Sequence, residues 1–250
     1  MTSNRFFIKK SNIHSSSLFL YGDEHHHLSK VARIKPEEKV WLFDEQGTNY
    51  LAKVEETRKN MTRLSILKTL DKNKPKIKIT LAQALLKSKK MDIIIQKSTE
   101  LAVTNIIPVI TARTIVKVEE KFPKKIERWK KIALEAVKQS QMSFLPSISS
   151  PIPVEKLVEG REEEKKLLLS ENRGKYLRDI LIENSSSELR TPKSPSSVLI
   201  LVGPEGGWTD EEEKYILNHG YEAVSLGGQT LRADTAALCS LALISHFWNL

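Results

Sequence analysis

The sequence predicts an α/β protein, with a largely parallel sheet after residue 75 and a small β-rich unit over residues 1–74. Three observations predict this. After residue 75, short apolar runs alternate with segments of helical spacing, the pattern of strand–helix–strand units in a parallel sheet. Before it, several short apolar runs are divided by turns containing Gly or Asn, which suits a small barrel. Between the halves, Asp71-Lys72-Asn73-Lys74-Pro75 is polar and turn-rich and marks a domain boundary.

Each element follows from its residues. Arg5-Phe6-Phe7-Ile8 is a short strand. Residues Asp23 to Arg33 read as a short helix, with acids first, bases last, and Leu28, Val31 and Ala32 apolar. Lys39 to Phe43, Tyr50 to Val54 and Leu64 to Leu67 are strands, and Asp44-Glu45-Gln46-Gly47 is a turn. Ile77 to Leu85 begins as a strand. Met91 to Val103 has helical spacing, with Gln96, Lys97 and Glu100 near one face. Ile106 to Ile110 is a strand, and Phe122 to Gln141 an amphipathic helix burying Trp129, Ile132, Ala133, Ala136 and Val137. Pro146 to Pro153 is extended, Lys156 to Lys166 a charged helix, Leu167 to Leu169 a buried strand and Tyr176 to Ile182 a helix. Asn184 to Ser197, rich in Ser and Pro, reads as a flexible loop.

The chain is organised around Leu199 to Leu243. The apolar run Val198 to Val202 enters Gly203-Pro204-Glu205-Gly206-Gly207, and Thr209 followed by Glu211, Glu212 and Glu213 signals a helix start. A second turn, Leu226-Gly227-Gly228, leads to Leu231-Arg232-Ala233-Asp234-Thr235, and Ala236 to Phe247 is an apolar helix. Two glycine loops separated by one helix suggest a small-molecule pocket at the ends of parallel strands. Glycines let backbone groups approach a ligand, with Leu226 and Leu231 as walls. In an extended segment Arg232 and Asp234 would share one side, a cation to orient a carbonyl beside a carboxylate able to accept a proton. An ion pair with no chemical role is the plain alternative.

Composition narrows the function. The net charge of +9 suits a polyanionic partner, and residues 87–138 hold 13 Lys/Arg against 6 Asp/Glu, which points to RNA or DNA. No run approaches the length of a membrane helix, and Met1 to Lys10 lacks a signal-peptide core, so no membrane association and a cytoplasmic location are expected. The glycine loop lacks the GK[ST] of a P-loop and the GxGxxG of a dinucleotide site. No Ser-His-Asp or Cys-His set supports nucleophilic hydrolysis. His25, His26 and His27 point in different directions on a helix and have no Cys or carboxylate to complete a tetrahedral set, so no metal is expected. The single cysteine, Cys239, is expected as buried filler in an apolar helix.

Four stretches then carry a resemblance: KSKKMDIIIQKSTELAV (87–103), RWKKIALEAVKQS (128–140), GPEGG (203–207) and LGGQTLRADTA (226–236). Together they resemble the 16S ribosomal RNA uracil-N3 methyltransferases, a family of trefoil-knotted RNA methyltransferases, over nearly the whole chain. The resemblance implies a PUA-like RNA-binding barrel at residues 1–72 and a knotted α/β methyltransferase domain at residues 73–250. It implies S-adenosylmethionine as cofactor, held by Ser170, Glu171, Val202, Gly203, Gly206, Gly207, Leu226, Gly227, Leu231, Arg232, Ala233 and Thr235. It implies Arg232 and Asp234 as catalytic residues and Arg5, His27, Arg33, Lys90, Lys97 and Arg113 as contacts for 16S ribosomal RNA or the small ribosomal subunit. A homodimer completes the site in the family. This chain departs from the family pattern at Asp234 (usually Glu), Ala233 (usually Thr), Gln141 and Met142 (usually a small residue and Arg), Ala102 and Pro36 (usually Gly). A non-catalytic RNA-binding or ribosome-assembly protein, and a knotted methyltransferase acting on another RNA, stay open on the residues alone.

Overall fold

The structure, a computed structural model, describes residues 5–70, 75–114, 122–171, 173–183 and 194–248. The chain forms two compact units, one of Met1–Lys74 with Leu134–Leu145, the other of Pro75–Ala133 with Pro146–Leu250. The expected boundary at Asp71–Pro75 lies largely outside the described residues, as do residues 184–193 of the expected Ser/Pro-rich loop.

The first unit is a six-stranded sheet. In chain order it contains β1 (Arg5–Phe7), β2 (Ile13–His14), β3 (Ser17–Tyr21), α1 (Gly22–His26) running into a π-type turn over His27–Val31, β4 (Lys39–Phe43), β5 (Asn49–Thr57) and β6 (Met61–Leu70). The strand order is β1-β4-β5-β6-β3-β2, antiparallel except for β1 against β4. Alternation along β5 buries Tyr50, Ala52 and Val54 against Phe6, Leu18, Leu42 and Leu64. The β4–β5 turn is closed by Asp44, whose carboxylate accepts from the Gln46 and Thr48 N–H groups and from the Tyr50 hydroxyl. Burial, and next the bond to Asp44, push that hydroxyl up to about 12.

The second unit is a parallel sheet. Its elements are β7 (Lys78–Ala84), α2 (Ser88–Glu100), β8 (Asn105–Ile110), α3 (Phe122–Ser140), β9 (Ser147–Ile148), β10 (Ile152–Pro153), α4 (Val154–Glu159), β11 (Lys165–Leu169), β12 (Lys175–Tyr176), α5 (Leu177–Glu183), β13 (Ser197–Val202), α6 (Asp210–Asn218), β14 (Glu222–Ser225) and α7 (Ala233–Trp248). The strand order is β10-β8-β7-β13-β11-β14-β12, with β9 also on β8, and every pair is parallel. Leu199 and Leu201 of β13 pack with Val154, Leu157 and Val158 of α4 and Ile216 of α6. Because β-strand side chains alternate, Val198 and Ile200 face the opposite side, where α7 lies against β13 and α2 against α7. Helices on both faces explain the nearly continuous apolar runs of the central strands.

Three expectations are corrected. The charged helix does not run to Lys166: α4 ends at Glu159 with Gly160 as its cap, and Lys165 and Lys166 open β11. The last helix begins at Ala233, so Ala233, Asp234 and Thr235 form its first turn and the alternation of an extended chain does not apply to them. Cys239 is exposed. The helix α7 is apolar nearly all round, so composition could not show which residues turn outward.

Two helix ends carry non-glycine residues in the left-handed region. Ala102 has φ 66° and Gln141 φ 60°. Each is the C′ residue of a Schellman motif: Val103 N–H bonds Ser98 O and Ala102 N–H bonds Thr99 O after α2, and Met142 N–H bonds Val137 O after α3. The two departures at 102 and 141 are therefore backbone departures. Ala102→Gly is expected to raise stability by about 1 kcal/mol, because the Cβ penalty at positive φ exceeds the extra chain entropy of Gly. A urea titration checks it.

The second part of α3 belongs to the first unit. There Lys138 pairs with Glu24, whose other oxygen accepts from Phe7 N–H at 3.0 Å. Burial alone would lower the Lys138 pKa, but the charge and hydrogen bond of Glu24, with help from Glu135, outweigh it, and the net shift is upward. The contribution to stability is thus complete below the unfolded lysine value and is lost as pH rises through the higher folded value. Glu24→Gln is expected to cost about 2 kcal/mol at neutral pH, and its deficit relative to wild type should shrink above that range in urea titrations.

Candidate functional site

Parallel pairing brings the C-terminal ends of the strands to one edge, and the loops that follow them meet there. Three of those loops build a cleft of about 610 Å³. Ser170 and Glu171 follow β11; Val202 ends β13, and Gly203, Gly206 and Gly207 follow it; Leu226, Gly227, Leu231, Arg232 and Ala233 follow β14. All of these are residues that the resemblance placed in a cofactor pocket. Its size and its mixed apolar and charged lining suit a small-molecule ligand.

The glycine loop is shaped by what it touches. Gly207 has φ 70° and its N–H bonds Pro204 O at 3.0 Å, closing the turn. A Cβ on Gly203 would lie 3.0 Å from the Trp208 indole nitrogen and 3.1 Å from Cε2, so glycine lets that ring approach the loop closely. The indole N–H donates to Leu169 O at 3.0 Å and so ties the loop after β13 to the end of β11. Thr209 and Glu212 form a reciprocal capping box at the start of α6. Next to it, the Glu211 carboxylate is held below its usual range, first by its own backbone N–H and then by the Thr209 hydroxyl.

Two residues expected at RNA line this cleft. Lys90, early in α2, pairs with Glu205 at 2.5 Å. Arg113, just past β8, donates from Nη1 to Gly206 O at 2.6 Å and Trp208 O at 3.1 Å. Arg232 is exposed at the cleft and is the one basic lining side chain without a partner among the described residues. Sequence reasoning missed Trp208, Asp210 and Glu213. The signal for Lys90 and Arg113 was available, since both sit just beyond strands of a parallel sheet.

The remaining expected site residues lie elsewhere. Asp234 and Thr235 are in the first turn of α7 and do not line the cleft. Lys97 pairs with Glu100 on the surface of α2. In the first unit Arg5 is buried, bonds Asn49 at 2.6 Å and lies over the Phe43 ring. His27 packs on Phe6 with ring centroids 5.4 Å apart, and Arg33 is exposed at φ 54°. No group of three or more potential metal ligands occurs among the described residues.

This arrangement matches known proteins. A family model described as an RNA methyltransferase domain covers residues 72–245, and one described as an RNA methyltransferase PUA domain covers residues 20–62. The chain is 30% identical to the ribosomal RNA small subunit methyltransferase E of Bacillus subtilis over 97% of this chain and 96% of the relative. The chain belongs to the ribosomal RNA small subunit methyltransferase E family. A second relative of that name, from Rickettsia conorii, is also 30% identical, over 98% of this chain and 96% of its own. The crystal structure of the family member from Neisseria gonorrhoeae, bound to S-adenosyl methionine, superposes with a TM-score of 0.84 at 32% identity, covering 98% of both chains. Membership in the ribosomal RNA small subunit methyltransferase E family makes the chain an RNA methyltransferase and matches its α/β unit and its N-terminal RNA-binding domain.

Proposed function

We propose that this chain transfers a methyl group from S-adenosylmethionine to N3 of a uridine in 16S ribosomal RNA. The observation that carries the reading is the cleft itself: three loops at the carboxyl edge of a parallel sheet, with glycines that leave room for a ligand and Arg232 unpaired at its side. The Neisseria gonorrhoeae relative was crystallised with this cofactor. The residues fit such a ligand. Leu169, Leu226 and Leu231 offer apolar walls for an adenine, while the glycine loop and the carboxylates of Glu171 and Glu213 suit polar groups. When bound, the cofactor supplies an electrophilic methyl on a sulfonium.

The chain's own residues do the rest. N3 of uracil carries a proton, and once that proton has passed to solvent water the electron pair left on N3 is a good nucleophile. Arg232 stabilises the resulting anion through a uracil carbonyl. Its main chain is fixed by Ala236 N–H bonding Arg232 O at 2.8 Å, so the side chain starts from a rigid helix terminus. Asp234 is the orienting partner in this reading, a carboxylate in the first turn of α7 that also meets the positive end of the helix dipole. Because N3 lies on the pairing edge, the base reacts unpaired or extruded. The unit at residues 1–72 and exposed bases such as Arg33 supply RNA affinity through phosphates, and residues 73–250 carry the transfer. The reading includes a knotted path through the loops at 203–209 and 226–232, a homodimer that completes the site, and a cytoplasmic location. No helix among the described residues is long and apolar enough to cross a membrane.

The test is transfer of tritium from labelled S-adenosylmethionine to small ribosomal subunits, followed by nucleoside analysis. N3-methyluridine is the expected product. Label in another nucleoside discards the uridine assignment, and absence of both label and cofactor binding discards the enzyme in favour of a non-catalytic RNA-binding protein.

A further inference from the structure

We propose that Arg113 is a positioning residue for the cofactor, acting through the glycine loop, and is not an RNA phosphate contact. The proposal rests on the reading of the cleft as the cofactor site.

The geometry around Arg113 forms a closed clip. The turn that carries it is fixed on itself, with Thr111 N–H on the Thr114 hydroxyl at 2.9 Å and Thr114 N–H on Thr111 O at 3.0 Å. The preceding residue is anchored to the next helix: Ala112 N–H donates to Glu212 Oε1 at 2.7 Å. The other oxygen of that carboxylate accepts from Thr209 N–H at 3.1 Å, and the Thr209 hydroxyl accepts from Glu212 N–H at 3.1 Å. One glutamate thus caps α6 and holds the end of β8. From this anchored turn the guanidinium reaches the carbonyls of Gly206 and Trp208, two residues apart on the loop. Its Cδ would lie 3.4 Å from a Cβ on Gly206, so the stem also packs against the loop.

Those bonds have a consequence for the cleft. A peptide unit is planar, so fixing a carbonyl fixes the orientation of the whole plane. Arg113 therefore sets the planes that follow Gly206 and Trp208, and with them the placement of Gly207 and the indole in the cleft wall. The loop contains three glycines in five residues and has little stiffness of its own. Without the clip it samples more conformations, and a ligand must restore the binding geometry from a smaller competent fraction.

Lysine separates this role from an electrostatic one. A lysine at 113 keeps the charge and would keep a phosphate contact, but its flexible ammonium lacks the rigid planar guanidinium from which one nitrogen, Nη1, bonds both carbonyls. The experiment uses the full chain and measures, for wild type, R113K and R113A, the Kd of S-adenosylmethionine by titration calorimetry. It also measures the Kd of 16S ribosomal RNA over a series of salt concentrations, and the melting curve without ligand. The expected result is a cofactor Kd raised about 10- to 100-fold in R113A and by a smaller factor in R113K, the scale of charge-assisted bonds lost. RNA affinity and its salt slope should stay at the wild-type values, and the KM for the cofactor should rise by more than kcat falls. Unchanged cofactor affinity in a folded R113A overturns the proposal. So does weakened RNA binding with a salt slope reduced by about one and wild-type behaviour in R113K, the mark of a phosphate contact. Should R113A lose its cooperative melt, R113K decides the matter by the same two affinities. A wild type that binds RNA but no S-adenosylmethionine refutes the cofactor reading first, and the proposal with it.

Discussion

Arg232→Ala should slow methyl transfer about 100- to 1,000-fold while leaving S-adenosylmethionine affinity within a few-fold of wild type. The size follows from removing one preorganised charged donor aimed at a developing oxyanion, which elsewhere costs about 3–4 kcal/mol of transition-state stabilisation. The neighbouring cations cannot substitute. Lys90 is held by Glu205 and Arg113 by two carbonyls of the glycine loop. Arg232→Lys should recover part of the rate, since it restores the charge without the fork. Single-turnover methylation of small ribosomal subunits at saturating cofactor measures the chemical step, and a rate equal to wild type in R232A would remove Arg232 from the mechanism.

Gly174→Ala should lower stability by about 3–5 kcal/mol, enough to shift the melting temperature by roughly 6–20 °C in a chain of this size. Gly174 has φ 106°, a conformation that disfavours any Cβ. An added Cβ would also lie 2.2 Å from Ala223 O and 2.4 Å from Ala223 C, both backbone atoms of β14 that no side-chain rotation can clear. Relief requires parting β12 from β14, and β14 leads into the loop at Leu226 and Gly227 that lines the cleft. A differential scanning calorimetry trace with an unshifted transition would show that this edge tolerates the overlap.

Much of the second unit could be read from the chain. Runs such as Val198 to Val202 are apolar along their length because helices cover both faces of the sheet, and that pattern implied parallel strands and a cleft at their carboxyl ends. What failed was local. Lys165 and Lys166 look like helix residues by charge, but they open β11, where the Lys166 ammonium donates to His219 O at 3.0 Å and lies over the Tyr221 ring, and Lys165 reaches Glu222. The start of α7 was hidden because its capping position is Arg232, with no hydroxyl or carboxamide to announce it. The bonds of Arg113 could not be read at all, because the carbonyls it serves lie more than 90 residues away in sequence. Side-chain type reports what a residue can bond, and only the fold reports which partner is within reach.

The membership of residues 134–145 in the first unit bears on the order in which this protein can mature on the ribosome. The six strands are all synthesised by residue 70, yet Lys138, partner of Glu24, and Ser143, whose carbonyl abuts Gly47, arrive some seventy residues later. Before they do, all of β7, α2 and β8 must emerge. The nascent N-terminal sheet therefore waits, incomplete, while the first strands of the next unit pass through the exit tunnel, and a chain truncated at the apparent boundary would retain this unfinished state permanently.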